Sequence, residues 1–525
     1  MRKLGVAMVA GWLVLSWATV YLTPRCEGQS SRTLAVAQTG EEKTAKYLES
    51  VRRQPGLLLA FLQQMPKGGD LHVHLFGAIY AETLIDWASE NALCVDRTTS
   101  KLIHAACDSC EAYNSKPSVR CAYRDQILYD QLVDAWSMRN WHREEESGHD
   151  RFFATFEKFG PAVEKHVGDA LAEVASRAAA DHLQYVELML TADGGQAAIL
   201  GTKMGWDDDF IKLRDKLLTG GMADVVASVR SQLDSDEARE KEVLHCGTGH
   251  ASPGCEVTIH YLYQVLRGLP REQVFAQILL GFELSKADPR FVGFNLVMPE
   301  DYYVPMHDFD LHMRIIEALR KFYPATHVSL HAGEIWMGLV PPEGLRFHIR
   351  ESIERARAER IGHGVDVMSE DDPVGLLREM AKKNVLVEIC LTSNDVILGV
   401  SGDRHPLSFY MKYGVPVALA TDDQGVSRSD MTHEYLRAVE TYGLRYGDLK
   451  RMARASLEHS FIPGDSLWSD EGSDGRELGI AVACSNDRAS GDRVSAGCEK
   501  FMAASERARV QWQLERAFAG FEKKF

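Results

Sequence analysis

The chain has 525 residues, of which 45% are hydrophobic and 26% charged, and its formal net charge is −16. That composition is globular and excludes a disordered or fibrous chain. The acidic balance argues against nucleic acid as a partner, because phosphate binding needs a basic surface.

At roughly 150 residues per domain the length suggests two to four domains, although α/β barrels run long as single domains. Arg2 and Lys3 precede an uncharged run over residues 5–22. A basic start, an apolar stretch and small residues after it read as a secretory signal over residues 1–30. The competing reading is an uncleaved anchor, since the run is just long enough to span a bilayer. Gly5, Ala7, Ala10, Gly11, Ser16 and Thr19 dilute its hydrophobicity and favour the signal. A secreted or periplasmic location is therefore expected, with no stable membrane partner unless the leader stays as an anchor. Residues 31–53 read as a linker and 54–525 as one barrel domain.

Short apolar runs over 70–75, 183–190, 257–263, 291–297, 327–330, 360–365, 385–391 and 415–420 read as buried parallel strands. Helical periodicity lies between most of them, as over 152–180, 311–322, 348–358 and 373–383. Strand alternating with helix means βα units and a parallel sheet. Eight such strands predict an α/β fold, a closed (β/α)8 TIM barrel, with its site at the C-terminal strand ends. An open doubly wound sheet is the alternative, but no G-x-G-x-x-G follows an early strand. Residues 91–146 and 464–498 do not fit the repeat and read as Cys-containing loop insertions.

Eight of the ten cysteines fall into local groups. Cys246 and Cys255 bracket one loop, and Cys484 and Cys498 another. Cys94, Cys107, Cys110 and Cys121 share an insertion. In an exported chain disulfides are the default. The group of four allows three connectivities, and Cys107-x-x-Cys110 is also compatible with half a zinc site or a redox pair.

Polar residues gather where the strands stop. The first strand carries Asp70, His72 and His74, and side chains two apart on a strand face the same way. The fifth ends at Ser329, His331 and Glu334, the sixth at Arg360 and His363, the seventh at Ser393 and Asn394, the eighth at Asp422 and Asp423. His72, His74, His331 and Asp422 form a nitrogen-and-oxygen set suited to zinc with a water in an open position. Glu334, His363 and Asp423 are then general acid and base candidates. Glycines on both sides of His363 permit close approach. Trp336, just after Glu334, is a candidate wall for a flat ligand. Tyr302 and Tyr303 follow the fourth strand within reach of the same mouth. Ser147 reads as the cap of a helix whose Phe152, Phe153 and Phe156 spacing fits core packing.

These motifs resemble the adenosine deaminase family of metal-dependent amidohydrolases. The strings are Met65-Pro-Lys-Gly-Gly-Asp-Leu-His72-Val-His74, Ser329-Leu-His331-Ala-Gly-Glu334, Arg360-Ile-Gly-His363-Gly364, Leu391-Thr-Ser-Asn394 and Thr421-Asp422-Asp423, in the family's order. The export signal and Cys-bearing insertion look most like the secreted, growth-factor-related branch. The resemblance implies one Zn2+ per chain on His72, His74, His331 and Asp422. It implies that Glu334 protonates purine N1, that His363 takes the water proton or holds the hydroxide, and that Asp423 hydrogen-bonds purine N7. The Met298 N–H would meet purine N3.

Two positions depart from the family pattern. Phe76 stands where many members carry an acid facing the ribose 5′-hydroxyl, and Met298 stands where many carry glycine. No lysine ends the fourth strand, which favours one metal over two. The expected function is zinc-dependent hydrolytic deamination of adenosine or 2′-deoxyadenosine to inosine or 2′-deoxyinosine plus ammonia. Another aminopurine or modified adenine nucleoside is the same-chemistry alternative, and a catalytically silent binding or signalling barrel is the alternative of another class. The expected partner is a small-molecule purine nucleoside. The oligomeric state stays open.

Overall fold

A computed structural model describes residues 38–111, 114–469, 479–491 and 493–525. The expected leader over 1–30 lies outside the described residues. The unit from Gly40 to Phe525 carries the fold. Its eight main strands are β1 (Gly68–His74), β2 (Leu183–Leu190), β3 (Thr258–Leu266), β4 (Phe291–Val297), β5 (His327–Ala332), β6 (Arg360–His363), β7 (Leu386–Ile389) and β8 (Val417–Leu419). Each pairs in parallel with the next in chain order. A parallel bridge joins Val73 to Asp422, and the Asp422 N–H donates to the His72 carbonyl at 2.8 Å. That contact brings the end of β8 back to β1, and the sheet becomes the expected (β/α)8 barrel. Register sets His74 opposite Met189, Leu266 opposite Val297 and Ala332 opposite His363, so the strands end on one rim.

Strand boundaries shift where pairing outruns or undercuts the apolar pattern. β3 passes its expected end at 263, because Gln264, Val265 and Leu266 pair with Asn295, Leu296 and Val297. β6 stops short of 365, because His363 turns left-handed at φ 68°. β7 stops short of 391, where the helix Leu391–Leu398 begins. The helix expected over 152–180 is two, Gly148–Val163 and Val167–Ala180. Pro161 lies in the last turn of the first, where its missing N–H and its ring weaken the helix. The range read as linker holds the helix Gly40–Val51, whose Thr44, Leu48 and Val51 recur on one face and are buried. A helix-spaced apolar stripe in a polar stretch earned that packing.

The barrel interior has an ionic layer. Arg360 from β6 donates to Glu187 of β2 at 2.5 Å and to Glu388 of β7 at 2.6 Å, and all three side chains are fully buried. Barrel interiors are usually filled by branched apolar side chains. Below it, Phe461 stacks on the Arg360 guanidinium at 3.8 Å, and its N–H donates to Glu187.

The insertion over 91–146 contains a short antiparallel pair, Cys94–Val95 with Leu102–Ile103, and the helix Gln126–Ala135. Disulfides join Cys94 to Cys107 and Cys110 to Cys121. That choice among the three connectivities removes the zinc or redox reading of Cys107-x-x-Cys110, since both thiols are taken by different partners. Cys246–Cys255 and Cys484–Cys498 close the other two loops, and Cys390 is free and buried. No helix among the described residues is long and apolar enough to cross a membrane.

Candidate active site

Three strand ends deliver the donors. His72 and His74 leave β1 on one face, His331 comes from β5, and Asp422 follows β8. His72 Nε2 lies 3.1 Å from His331 Nε2, and His331 Nε2 lies 3.2 Å from His74 Nε2. Asp422 Oδ1 is 3.3 Å from His74 Nε2 and 3.6 Å from His72 Nε2. Four donors about 2.0–2.1 Å from one ion stand roughly 3.4 Å apart in a tetrahedron. The four atoms form a candidate metal site by their mutual distances.

The far side of each ring fixes which nitrogen faces inward. His72 Nδ1 meets Glu388 Oε2 at 2.6 Å, His74 Nδ1 meets Gln264 Oε1 at 2.8 Å, and His331 Nδ1 meets Asn295 Oδ1 at 2.9 Å. Each partner is an oxygen acceptor, so each Nδ1 carries the proton and each Nε2 presents a lone pair. Ser393 donates to the outer oxygen of Asp422 at 2.6 Å. Three imidazole lone pairs and a carboxylate oxygen therefore converge, an arrangement that repels itself unless a cation sits among them. The residues fit a metal ion.

Gly362 makes this packing possible. A Cβ there would lie 2.6 Å from the His72 ring. Asp70, at the base of β1, accepts from Thr421 Oγ1 at 2.6 Å and ties β1 to the segment leading into Asp422.

The proton-handling groups surround the donors. Burial pushes the Glu334 carboxyl well above the usual carboxylate range, and the nearby Asp422 and Glu300 charges push it further. Glu334 thus favours its neutral, proton-bearing form. Glu300 holds the loop by accepting from the Gly333 and Glu334 N–H groups at 3.1 and 2.8 Å. Burial and the charges of Asp422 and Glu334 raise Asp423 in the same way, and its Oδ1 has no partner. His363 Nε2 points at Glu334 Oε1 from 3.7 Å, and burial drops this imidazole to about 3. Met298, His363 and Asp422 all sit at positive φ, 84°, 68° and 58°. Strained backbone of this kind costs about 1–3 kcal/mol each and clusters at functional sites.

Above the donors opens a cavity of about 340 Å³. Small-molecule sites span roughly 300–1,000 Å³, mostly apolar with a few fixed polar groups. His74, His331, Glu334, Asp422 and Asp423 form its polar floor. Phe76, Phe152, Phe153, Phe156 and Met298 are among its apolar walls.

A family model described as adenosine deaminase matches residues 123–467. The chain belongs to the adenosine deaminase family. Its relatives include the adenosine deaminase of Vibrio atlanticus (strain LGP32), 33% identical over 145 residues, which are 27% of this chain and 40% of that protein. An adenine deaminase of Sinorhizobium medicae (strain WSM419) is 30% identical over 183 residues, covering 34% of this chain and 51% of that protein. The chain thus spans about two fifths to one half of the length of these relatives. Among solved structures, an Arabidopsis N6-mAMP deaminase aligns with a TM-score of 0.49 at 20% identity, over 79% of this chain and 97% of that one.

Among the residues expected at an adenosine deaminase site, the structure brings together His72, His74, His331, Asp422, Glu334, His363 and Asp423. Met298 and Phe76 line the cavity. Trp336 does not line it. After Glu334 it is Ile335 that is fully buried, packing with Val340 and Leu345, while Trp336 is half-buried outside the cavity lining. Tyr302 reaches the wall, whereas Tyr303 is 78% exposed. The Phe152, Phe153 and Phe156 spacing marks a cavity wall as well as core. Ser147 caps that helix by accepting from the Asp150 N–H, and His149 pairs with Asp150 and Asp301 instead of meeting a metal.

Several residues gave no sequence signal. Gln264 and Asn295 are neutral amides inside apolar strands. Arg267, fully buried, donates to the His331 and Met298 carbonyls and fastens two strand ends. Gly77, in the turn after β1, is another.

Proposed function

We propose that this chain is an exported zinc hydrolase that deaminates adenosine and 2′-deoxyadenosine to inosine and 2′-deoxyinosine, releasing ammonia. The observation that carries the reading is the convergence of His72, His74, His331 and Asp422 beneath a cavity whose floor also holds Glu334, a carboxyl that burial biases towards its neutral form. Zinc held there would lower the pKa of a bound water from 15.7 towards about 7.

The chain's own groups then have defined work. Glu334 donates its proton to purine N1, which makes C6 electrophilic. The water oxygen bonds to C6 and the C6–N6 bond breaks. One water proton restores Glu334 and the other leaves with the amino group as ammonia, so atoms balance. Asp423, held neutral by its surroundings, donates to purine N7 and fixes the ring plane. His363 stands beside the attacking oxygen. The apolar walls exclude water, which strengthens each of these polar contacts. Four disulfides among the described residues suit the oxidising compartment that export would reach.

Phe76 and Met298 on the wall favour a second reading, a modified adenine nucleoside or free aminopurine. The test is a substrate panel followed by purine absorbance and ammonia release. Turnover of adenosine with the highest kcat/KM supports the first reading. Turnover of a base but no nucleoside supports the second. No change with any aminopurine removes both and leaves a silent binding barrel.

A further inference from the structure

His363 offers one nitrogen to the site, and the structure determines which hydrogen it carries. A backbone donor further along the chain sets the order of protons. The Leu407 backbone N–H donates to His405 Nδ1 at 3.2 Å. A backbone amide has no acceptor on nitrogen. His405 Nδ1 must therefore be a lone pair, and the neutral ring carries its proton on Nε2. Burial holds His405 neutral, near 3, with the Arg437 charge acting in the same direction.

His405 Nε2 lies 3.0 Å from Asn394 Oδ1. That contact orients the amide, since an N–H must meet the oxygen and not the NH2. The Asn394 Nδ2 then faces His363 Nδ1 at 2.9 Å and donates to it. His363 Nδ1 is left as an acceptor, and its proton sits on Nε2. This Nε2 is fully buried, has no protein partner and points into the site towards Glu334.

We propose that His405 and Asn394 are positioning residues that lock His363 as its Nε2–H tautomer, so that the ring faces the reacting oxygen as a fixed hydrogen-bond donor. This rests on the deaminase reading of the site and deepens it. Of the two roles open to His363, taking the water proton or holding the oxygen, the relay selects the second. No proton passes through the ring. The metal-site rings have the opposite setting: their Nδ1 atoms face oxygen acceptors and their Nε2 atoms are lone pairs. Oxygen and amide-nitrogen partners therefore sort four neighbouring imidazoles into three electron-pair donors and one proton donor. Neither Asn394 nor His405 is a metal donor or a cavity-lining residue, and the hydrogen bond of Asn394 to His363 is their link to the site.

The test is neutron diffraction from deuterium-exchanged crystals of the full, metal-loaded protein, with Asn394→Asp alongside. Wild-type maps should show deuterium on Nε2 of His363 and of His405, and none on either Nδ1. Deuterium on His363 Nδ1, or on both of its nitrogens, overturns the proposal. An aspartate at 394 accepts from both rings, so it should move the His363 deuterium to Nδ1 and turn Nε2 into a lone pair. The kcat should fall on the order of 100-fold, as for loss of one preorganised donor, with KM little changed. His405→Gln keeps a donor for Asn394 and should retain most of the rate that His405→Leu loses. An unmoved deuterium in the aspartate variant overturns the relay. Should that variant fail to fold, the wild-type map decides alone. A map with the expected protons from a protein that turns over no aminopurine leaves the relay standing and removes the deaminase reading.

Discussion

Gly77 and Asp423 are packed so closely that a Cβ on the glycine would lie 1.5 Å from Asp423 Oδ1. The first βα turn therefore owes its missing side chain to a carboxyl from the opposite end of the barrel's strand order. Gly77→Ala must displace Asp423 while leaving all four metal donors in place. Losing that contact leaves a buried polar group unsatisfied, which costs about 1–3 kcal/mol, or roughly 5- to 150-fold in kcat/KM. Steady-state kinetics with adenosine, paired with elemental analysis, checks this. Unchanged kcat/KM would contradict the assignment of Asp423.

Glu334→Gln keeps the shape of the neutral carboxyl and its loop contact to Glu300. Burial already disfavours the ionised form of Glu334, so the neutral amide should not weaken the fold. It cannot give up a proton in exchange for one from water. Metal content and melting temperature should match the wild type, and kcat should fall by about 10²–10⁴. A near-normal rate would remove Glu334 from the role of acid.

Arg360→Met leaves Glu187 and Glu388 buried without their cation. Breaking a buried pair from one side costs about 3–5 kcal/mol, whereas replacing every member by apolar groups can be neutral. Denaturant midpoints should fall sharply for the single variant and recover in part when Glu187→Leu is added. Glu388 also holds His72, so the single variant should bind metal more weakly. An unchanged midpoint would mean the layer is dispensable.

Cys390 is the free thiol among the described residues, and Cys26 lies outside them. Labelling of the unfolded, unreduced protein should count no more than these two. Peptide mapping should join Cys94 to Cys107 and Cys110 to Cys121. A crossed pairing, or additional free thiols, would overturn the connectivity.

Much of the site was legible because strand-end strings carry their chemistry locally. Two imidazoles one residue apart on β1 and an Asp-Asp pair after β8 announce themselves. The barrel was legible from eight apolar runs, although their ends were not, since pairing and left-handed turns set those. The supports were hidden for a physical reason. Glu388 meets His72 across 316 residues of sequence, and Gln264 meets His74 across 190. A neutral amide in an apolar strand looks like any polar exception until the fold supplies its partner. Gly77, Arg267 and His405 likewise carry no local signal, although Asn394, which His405 meets, stands in a strand-end string. Trp336 stands outside the cavity lining, and its neighbour Ile335 takes the buried position after Glu334.

The convergence of four donors on one cation is tested most directly by anomalous diffraction at the zinc edge on crystals of the active protein. The account predicts one peak within about 2.0–2.2 Å of Nε2 of His72, His74 and His331 and of Oδ1 of Asp422, and its loss together with activity on chelation. A peak held by other residues, or an active protein with no metal at these four atoms, would contradict it.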